Sequence, residues 1–157
     1  MDSFPLFSPV ILTIQALVFP FLGSGPCEKY TVLDSVDRSV GYSKQNQIHC
    51  DRRDISKGWY RFMGAAGNMM PTSCVPMNRC GTYAPGWLKS RHPTLYQGIV
   101  IGQVCYHWQD ICCRWENNIR IKNCGTYFVY ELVKANACNL RYCGDGPGHD
   151  NLLPFQP

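Results

Sequence analysis

A mainly β, small disulfide-rich single domain of short strands and long loops, with at most short helices, is the fold class this sequence predicts. Three observations carry it. Ten cysteines occur in 157 residues, an even number that suits complete pairing in an oxidising compartment. Gly and Pro contribute 14 and 11 residues and cut the chain into short pieces, which leaves no room for a long periodic helix. The apolar runs that remain are brief and rich in aromatic and β-branched residues, as strands are. The length suffices for one domain with a genuine core.

The chain opens on an apolar run, Val10 to Leu22, followed by Gly23 and Gly25. That is the pattern of a secretory leader and its small-residue cleavage site. No Lys or Arg precedes Lys29, and Asp2 is acidic, which departs from the pattern. The rival reading is a membrane-spanning helix. Pro5, Pro9, Pro20 and Gln15 leave no clean run of about 20 apolar residues for it. The expected organisation is a signal peptide over residues 1–25, a cysteine-rich domain over 26–143 and a flexible tail over 144–157. No stable membrane span is expected in the mature chain.

Tyr30 to Leu33 is the first strand candidate. Ser39 to Gln47 is polar and reads as a loop. Trp59 to Phe62 is aromatic and strand-like, closed by Gly64 and Gly67. The stretch from Gly81 to Pro93 holds two prolines and two glycines and reads as a long ordered loop. Gly98 to Gly102 leads as a strand into the centre of the chain, Val104 to Trp115. That centre carries Cys105, Cys112, Cys113, Trp108 and Trp115. Adjacent Cα atoms lie about 3.8 Å apart, closer than an ordinary disulfide prefers. Cys112 and Cys113 are therefore expected to seek different partners, which an extended segment permits. Asn117-Asn118 resembles a turn, and Ile119 to Lys122 alternates like a half-exposed strand. Tyr127 to Leu132 is the strongest strand signal, followed by a brief helix or turn up to Asn139.

Sites of chemistry are scarce. The close cysteine spacings never include C-x2-C, and His49, His92, His107 and His149 are scattered, so no metal site is read. The even cysteine count leaves no obvious thiol nucleophile. There is no G-x-S-x-G, HExxH, phosphate-binding loop or dinucleotide fingerprint. Asp51 with Asp54, and Asp34 with Asp37, read as exposed turn acids rather than a catalytic carboxylate pair. No enzyme, metal or cofactor is expected. The formal net charge is +4 with the basic residues dispersed, so no nucleic-acid partner is expected either. No Asn is followed two positions later by Ser or Thr, and little or no N-glycan is expected.

The ordered set Cys27, Tyr30 to Leu33, Cys50-Asp51, Gly58-Trp-Tyr-Arg-Phe62, Cys74-Val-Pro76, Cys80-Gly-Thr82, Trp87-Leu88, His92-Pro93, Cys105, His107-Trp108, Cys112-Cys113, Trp115, Cys124, Tyr130 and Cys138 to Cys143 resembles the cysteine-rich domain of the uromodulin family. The pancreatic zymogen-granule membrane glycoprotein and a liver oncoprotein-induced transcript protein share that domain. The resemblance implies a secreted, non-catalytic extracellular module, usually set beside EGF-like repeats and a zona-pellucida domain. It also implies the pairing Cys27–Cys124, Cys50–Cys138, Cys74–Cys112, Cys80–Cys143 and Cys105–Cys113. In its best-known members the domain presents a high-mannose glycan as a decoy for a bacterial adhesin. The glycan-bearing asparagine lies just before the cysteine matching Cys105. Here that ground, Ile99 to Val104, holds no asparagine, so the fold carries over and the decoy role does not. The expected function is recognition of an extracellular protein or glycan, with Trp87, Lys89 and Arg91 as candidate binding residues on the loop from Tyr83 to His92. The plainer alternative for Trp87 is a core side chain. The alternative for the whole chain is a structural module or fragment of an extracellular matrix or zona-pellucida-domain assembly.

Overall fold

Seven strands form one sheet in the computed structural model, which describes residues 25–148. They are β1 (Thr31–Leu33), β2 (Gly58–Phe62), β3 (Ala84–Leu88), β4 (Ile99–Trp108), β5 (Ile111–Asn123), β6 (Phe128–Leu132) and β7 (Leu140–Tyr142). Their order across the sheet is β1-β2-β6-β5-β4-β3-β7. The antiparallel β4–β5 hairpin is the spine, and the outermost pairs, β1–β2 and β3–β7, are parallel. Among the described residues the helical content is one short helix, α1 (Asp51–Asp54), and three single 3-10 turns. No helix among them is long and apolar enough to cross a membrane.

Strand alternation sends one set of side chains to a single core face. Tyr60, Phe62, Leu88, Val104, Tyr106, Ile119, Ile121, Tyr130, Leu132 and Tyr142 pack there. The loops fold beneath that face and add Ile55, Ala66, Met70 and Ala135. Three of the largest buried side chains are tyrosines, and each hydroxyl is satisfied. Tyr106 donates to Asn117 Oδ1 at 2.8 Å, and Asn117 Nδ2 donates to the Tyr142 hydroxyl at 3.0 Å. Tyr142 in turn donates to the Val133 carbonyl at 2.9 Å. The Met70 N–H donates to the Tyr130 hydroxyl at 3.0 Å.

Three expectations are corrected by this architecture. Asn117-Asn118 is not a turn: it lies mid-strand opposite Val104 and Gln103. Asn117 is there to satisfy the two tyrosine hydroxyls, and the reversal falls instead at Gln109-Asp110. The stretch from Gly81 to Pro93 is not all loop, because Ala84–Leu88 forms β3 despite Pro85. The segment expected as a brief helix or turn before Asn139 does end in a turn, at Cys138-Asn139. The glycine-rich start of the tail is held in place rather than flexible. Gly144 N–H donates to Arg38 O at 2.9 Å and Gly146 N–H to Ala66 O at 3.0 Å. The Asp145 carboxylate accepts from the N–H groups of Asn68 and Met69 at 2.7 and 3.1 Å. A Cβ on Gly144 or Gly146 would run into the backbone of Ala65 and Ala66, so these glycines serve close approach. Residues 1–24 of the expected signal peptide over 1–25, and the remainder of the tail from His149, lie outside the described residues.

Candidate binding surface

What the fold holds rigid determines what it can present. Five disulfides join Cys27 to Cys124, Cys50 to Cys138, Cys74 to Cys112, Cys80 to Cys143 and Cys105 to Cys113. Adjacent Cys112 and Cys113 thus serve two partners. The hairpin makes room for this by an irregular register: between the pairs Tyr106–Trp115 and Trp108–Ile111, His107 alone faces the stretch from Cys112 to Arg114. The ring nitrogens of His107 lie 2.7 Å from Val75 O and 2.8 Å from Gln109 O, pinning the Cys74 loop to the hairpin end.

A buried charge cluster reinforces these staples. Arg38 and Asp51 are almost wholly inaccessible, at 4% and 0% exposure. The Arg38 guanidinium donates to both Asp51 oxygens, at 2.8 and 2.7 Å, and Asp51 also accepts from the Tyr142 N–H at 2.8 Å. Burial alone would lower the basicity of Arg38, but its bonds and attraction to Asp51 outweigh that and raise its pKa above the ordinary value. Beside this pair, Arg141 donates to Asp37 at 3.2 Å, and His49 Nε2 lies 2.8 Å from the other Asp37 oxygen. Burial pushes Asp37 upward. The Ser35 hydroxyl, Arg141 and His49 together overcome it and hold the carboxyl below its usual range. Asp51 is therefore a paired ion of the interior and Asp37 a half-buried one, and neither is an exposed turn acid. Their partners lie 13 and 104 residues away in the chain, which hides the pairing from a linear reading.

The second face of the sheet has a different character. The register sets Trp59, Glu131, Arg120 and Ile101 side by side across β2, β6, β5 and β4. Arg120 donates to Glu131 through two nitrogens, at 2.6 and 2.7 Å, and its guanidinium lies 5.5 Å from the centre of the Trp59 ring. The hydrogen bonds from Arg120 hold Glu131 below its ordinary pKa, and Lys57 adds to this. Lys57, Ile101, Asn118, Arg120, Glu131 and Val133 line a shallow groove of about 260 Å³. Ile101 is 73% exposed, and Tyr96, on the turn leading into β4, is 95% exposed. Leu95 and Ile99 complete an exposed apolar run, with Lys122 opposite Ile99. Large apolar side chains collected in this way mark interaction surfaces more than isolated ones do.

The sequence-read binding residues fall differently. Trp87 lies on β3, opposite Cys105. Its indole N–H donates to the Cys112 carbonyl at 2.8 Å, and its ring packs against the small cluster of Val75, Cys80 and Cys143. That environment gives Trp87 a structural task. Lys89 and Arg91 are exposed just beyond β3, and the Lys89 N–H bonds Gln103 on β4. They therefore border the strand that carries Ile101. The exposed run from Leu95 to Ile101 was missed by sequence reasoning. Its signal was available in the successive apolar residues around Gly98, which were read only as strand. Two sets of close metal-ligating types occur, Cys74 with His107 and Cys112, and Cys105 with Cys113 and Glu116. In both, the sulfurs are joined in disulfides, so they offer no thiolate to an ion.

Comparison with known proteins gives a consistent set of matches. Residues 60–144 match the model of a cysteine-rich domain family described as uromodulin-like. The pancreatic secretory granule membrane major glycoprotein GP2 of Canis lupus familiaris is 46% identical over 121 residues, 76% of this chain and 23% of the relative. Uromodulin of Mus musculus is 43% identical over 125 residues, 76% of this chain and 18% of the relative. The GP2 glycoprotein of Homo sapiens is 44% identical over 119 residues, 75% of this chain and 22% of the relative. The chain thus spans about a quarter or less of the length of these curated relatives.

Proposed function

The chain belongs to the uromodulin-like cysteine-rich domain family, and we propose that it is a secreted, non-catalytic recognition module whose open sheet face engages an extracellular protein. The five disulfides suit an oxidising, extracellular setting. The single observation that carries the recognition reading is the exposed apolar run of Leu95, Tyr96, Ile99 and Ile101. Cationic Lys57, Lys89, Arg91 and Lys122 surround or adjoin it, against which Glu131 is already engaged by Arg120. An apolar centre with a charged rim is the anatomy of a protein interface. A partner carrying carboxylates around an apolar patch complements it, whereas a second copy would set like charges against each other.

The chain has no Asn-x-Ser/Thr sequon, so glycan presentation is not the reading favoured here. The structural-module reading requires self-association or co-assembly. Solution mass separates the two, because a monodisperse monomer disfavours assembly. The direct test displays the secreted chain on a panel of purified extracellular ectodomains. Binding that is lost in Ile101→Asp and in Tyr96→Ala, with unchanged melting, supports the face. Binding indifferent to both substitutions refutes it.

A further inference from the structure

A second feature lies at the hairpin end of the core, apart from the open face. Tyr83, Ala84, Trp108, Trp115, Asn139 and Leu140 wall a recess of about 130 Å³. Trp108 and Trp115 stand with ring centroids 6.5 Å apart and planes inclined by 44°. Both are half-buried, so their indoles are shared between the core and the recess. Asn139 sits at the start of β7 in a left-handed conformation, φ 65°. Its carbonyl is fixed by the Ala84 N–H at 3.0 Å and the Thr82 hydroxyl at 2.7 Å. Its side-chain amide and the Tyr83 hydroxyl take no hydrogen-bond partner among the described residues.

We propose that this recess is a binding site for a single neutral saccharide ring. Four features converge on that ligand class. The volume lies below the ~300–1,000 Å³ typical of drug-sized ligand pockets, which leaves room for one ring and not for a chain. Its walls carry no Lys, Arg, Asp or Glu, so a charged ligand would lose hydration with no counter-charge in return. The two indoles offer apolar, polarisable surface to the C–H face of a pyranose. The Tyr83 hydroxyl and Asn139 amide then meet its hydroxyl rim. An apolar side chain from a partner would fill the same space but leave both polar groups buried and unpaired, which is costly. The site does not depend on the protein-binding face: either can be occupied while the other stays empty.

The test is saturation-transfer NMR on the full secreted chain. The probes are methyl glucoside, methyl galactoside and methyl mannoside, with glucuronic acid and indole as charged and apolar comparators, and tryptophan fluorescence as a second readout. At least one neutral glycoside should receive saturation, shift the tryptophan emission and do so better than glucuronic acid. Tyr83→Phe removes only a hydroxyl. Asn139→Gly removes the amide while keeping the backbone free to hold positive φ. Each should weaken binding by roughly five- to tenfold, with the melting temperature of Tyr83→Phe unchanged. The proposal is overturned if no neutral glycoside binds at tens of millimolar, if binding ignores both substitutions, or if indole binds and the glycosides do not. None of these results bears on binding at Ile101 and Tyr96, so the two readings fail separately.

Discussion

Replacing Asp51 by Asn tests the buried charge cluster with almost no change of shape. Asp51 accepts three charge-assisted or backbone bonds, two from Arg38 and one from the Tyr142 N–H. Asparagine keeps one carbonyl oxygen for these donors and turns an NH₂ toward the rest. Arg38, 4% exposed, is left with a full charge and little water. Its remaining anchor is the Tyr142 carbonyl at 3.1 Å. Breaking one side of such a pair costs about 3–5 kcal/mol. For a domain of this size that corresponds to a fall in melting temperature of roughly 10–20 °C. The assay is thermal and urea unfolding followed by circular dichroism, without reductant so the disulfides stay closed. The urea midpoint should fall with little change in the slope. The exposed neighbour substitution Asp54→Asn controls for the short helix and should move the midpoint far less. Removing both charges, as Arg38→Met with Asp51→Leu, should recover part of the loss because no buried ion is left unpaired. A melting temperature for Asp51→Asn within about 2 °C of the parent would refute the reasoning.

Three further outcomes follow from the same geometry. Cys27–Cys124 closes a separation of 97 residues and Cys105–Cys113 one of 8; the chain-entropy relation gives these about 4.7 and about 2.5 kcal/mol. Replacing Cys27 and Cys124 by Ser should therefore reduce secreted yield more than replacing Cys105 and Cys113, measured by immunoblot of medium and cells; the reverse order would contradict the entropic account. His92 Nε2 lies 2.8 Å from the Tyr130 hydroxyl, and burial depresses its pKa below the ordinary value of 6.5. Its neutral form is thus the one the fold prefers: the stabilisation is complete above pH about 6.5 and is lost as pH falls through the lower folded value, so His92→Gln should flatten the stability profile on that acid limb. Trp87→Phe removes the bond to the Cys112 carbonyl and should cost about 1 kcal/mol, read as a small fall in the urea midpoint with partner binding intact; loss of binding without loss of stability would return Trp87 to the recognition surface.

How much was legible depended on whether the information was local. The strands at Thr31–Leu33, Gly58–Phe62 and Phe128–Leu132 announce themselves through aromatic and β-branched composition. The first half of the central hairpin does so too. Asn117 misled because a polar pair between apolar runs usually marks a turn. Only the tertiary position of Tyr106 and Tyr142 shows why an amide belongs inside the sheet. Leu140–Tyr142 is too short to signal a strand, and it exists by parallel pairing with β3, more than fifty residues earlier. Glycines 144 and 146 were read as freedom where they provide contact. Asp37 and Asp51 looked like surface acids because their arginine partners meet them only after the chain has closed. On the proposed recognition surface, Lys89 and Arg91 were legible by charge. Ile101 was not, because an apolar residue in a strand reads as buried until the pairing shows which face it occupies.

The placement of the rigid and the exposed parts bears on how such a domain can vary. Stability is concentrated in the core face, the five disulfides and the Arg38–Asp51 pair. None of the ten cysteines lies on the row of Trp59, Glu131, Arg120 and Ile101. A residue such as Ile101, 73% exposed, gives up little burial when replaced, so its substitution falls among those that change stability by only about 0.5 kcal/mol. The open face can therefore change its chemistry without endangering the fold, while Asp51, Asn117 or Gly144 cannot change without a structural penalty. A surface whose exposed apolar side chains add little to stability has no stability reason to be apolar. Its apolar character then points to a partner, and that is the physical content of reading this domain as a recognition module rather than as a spacer.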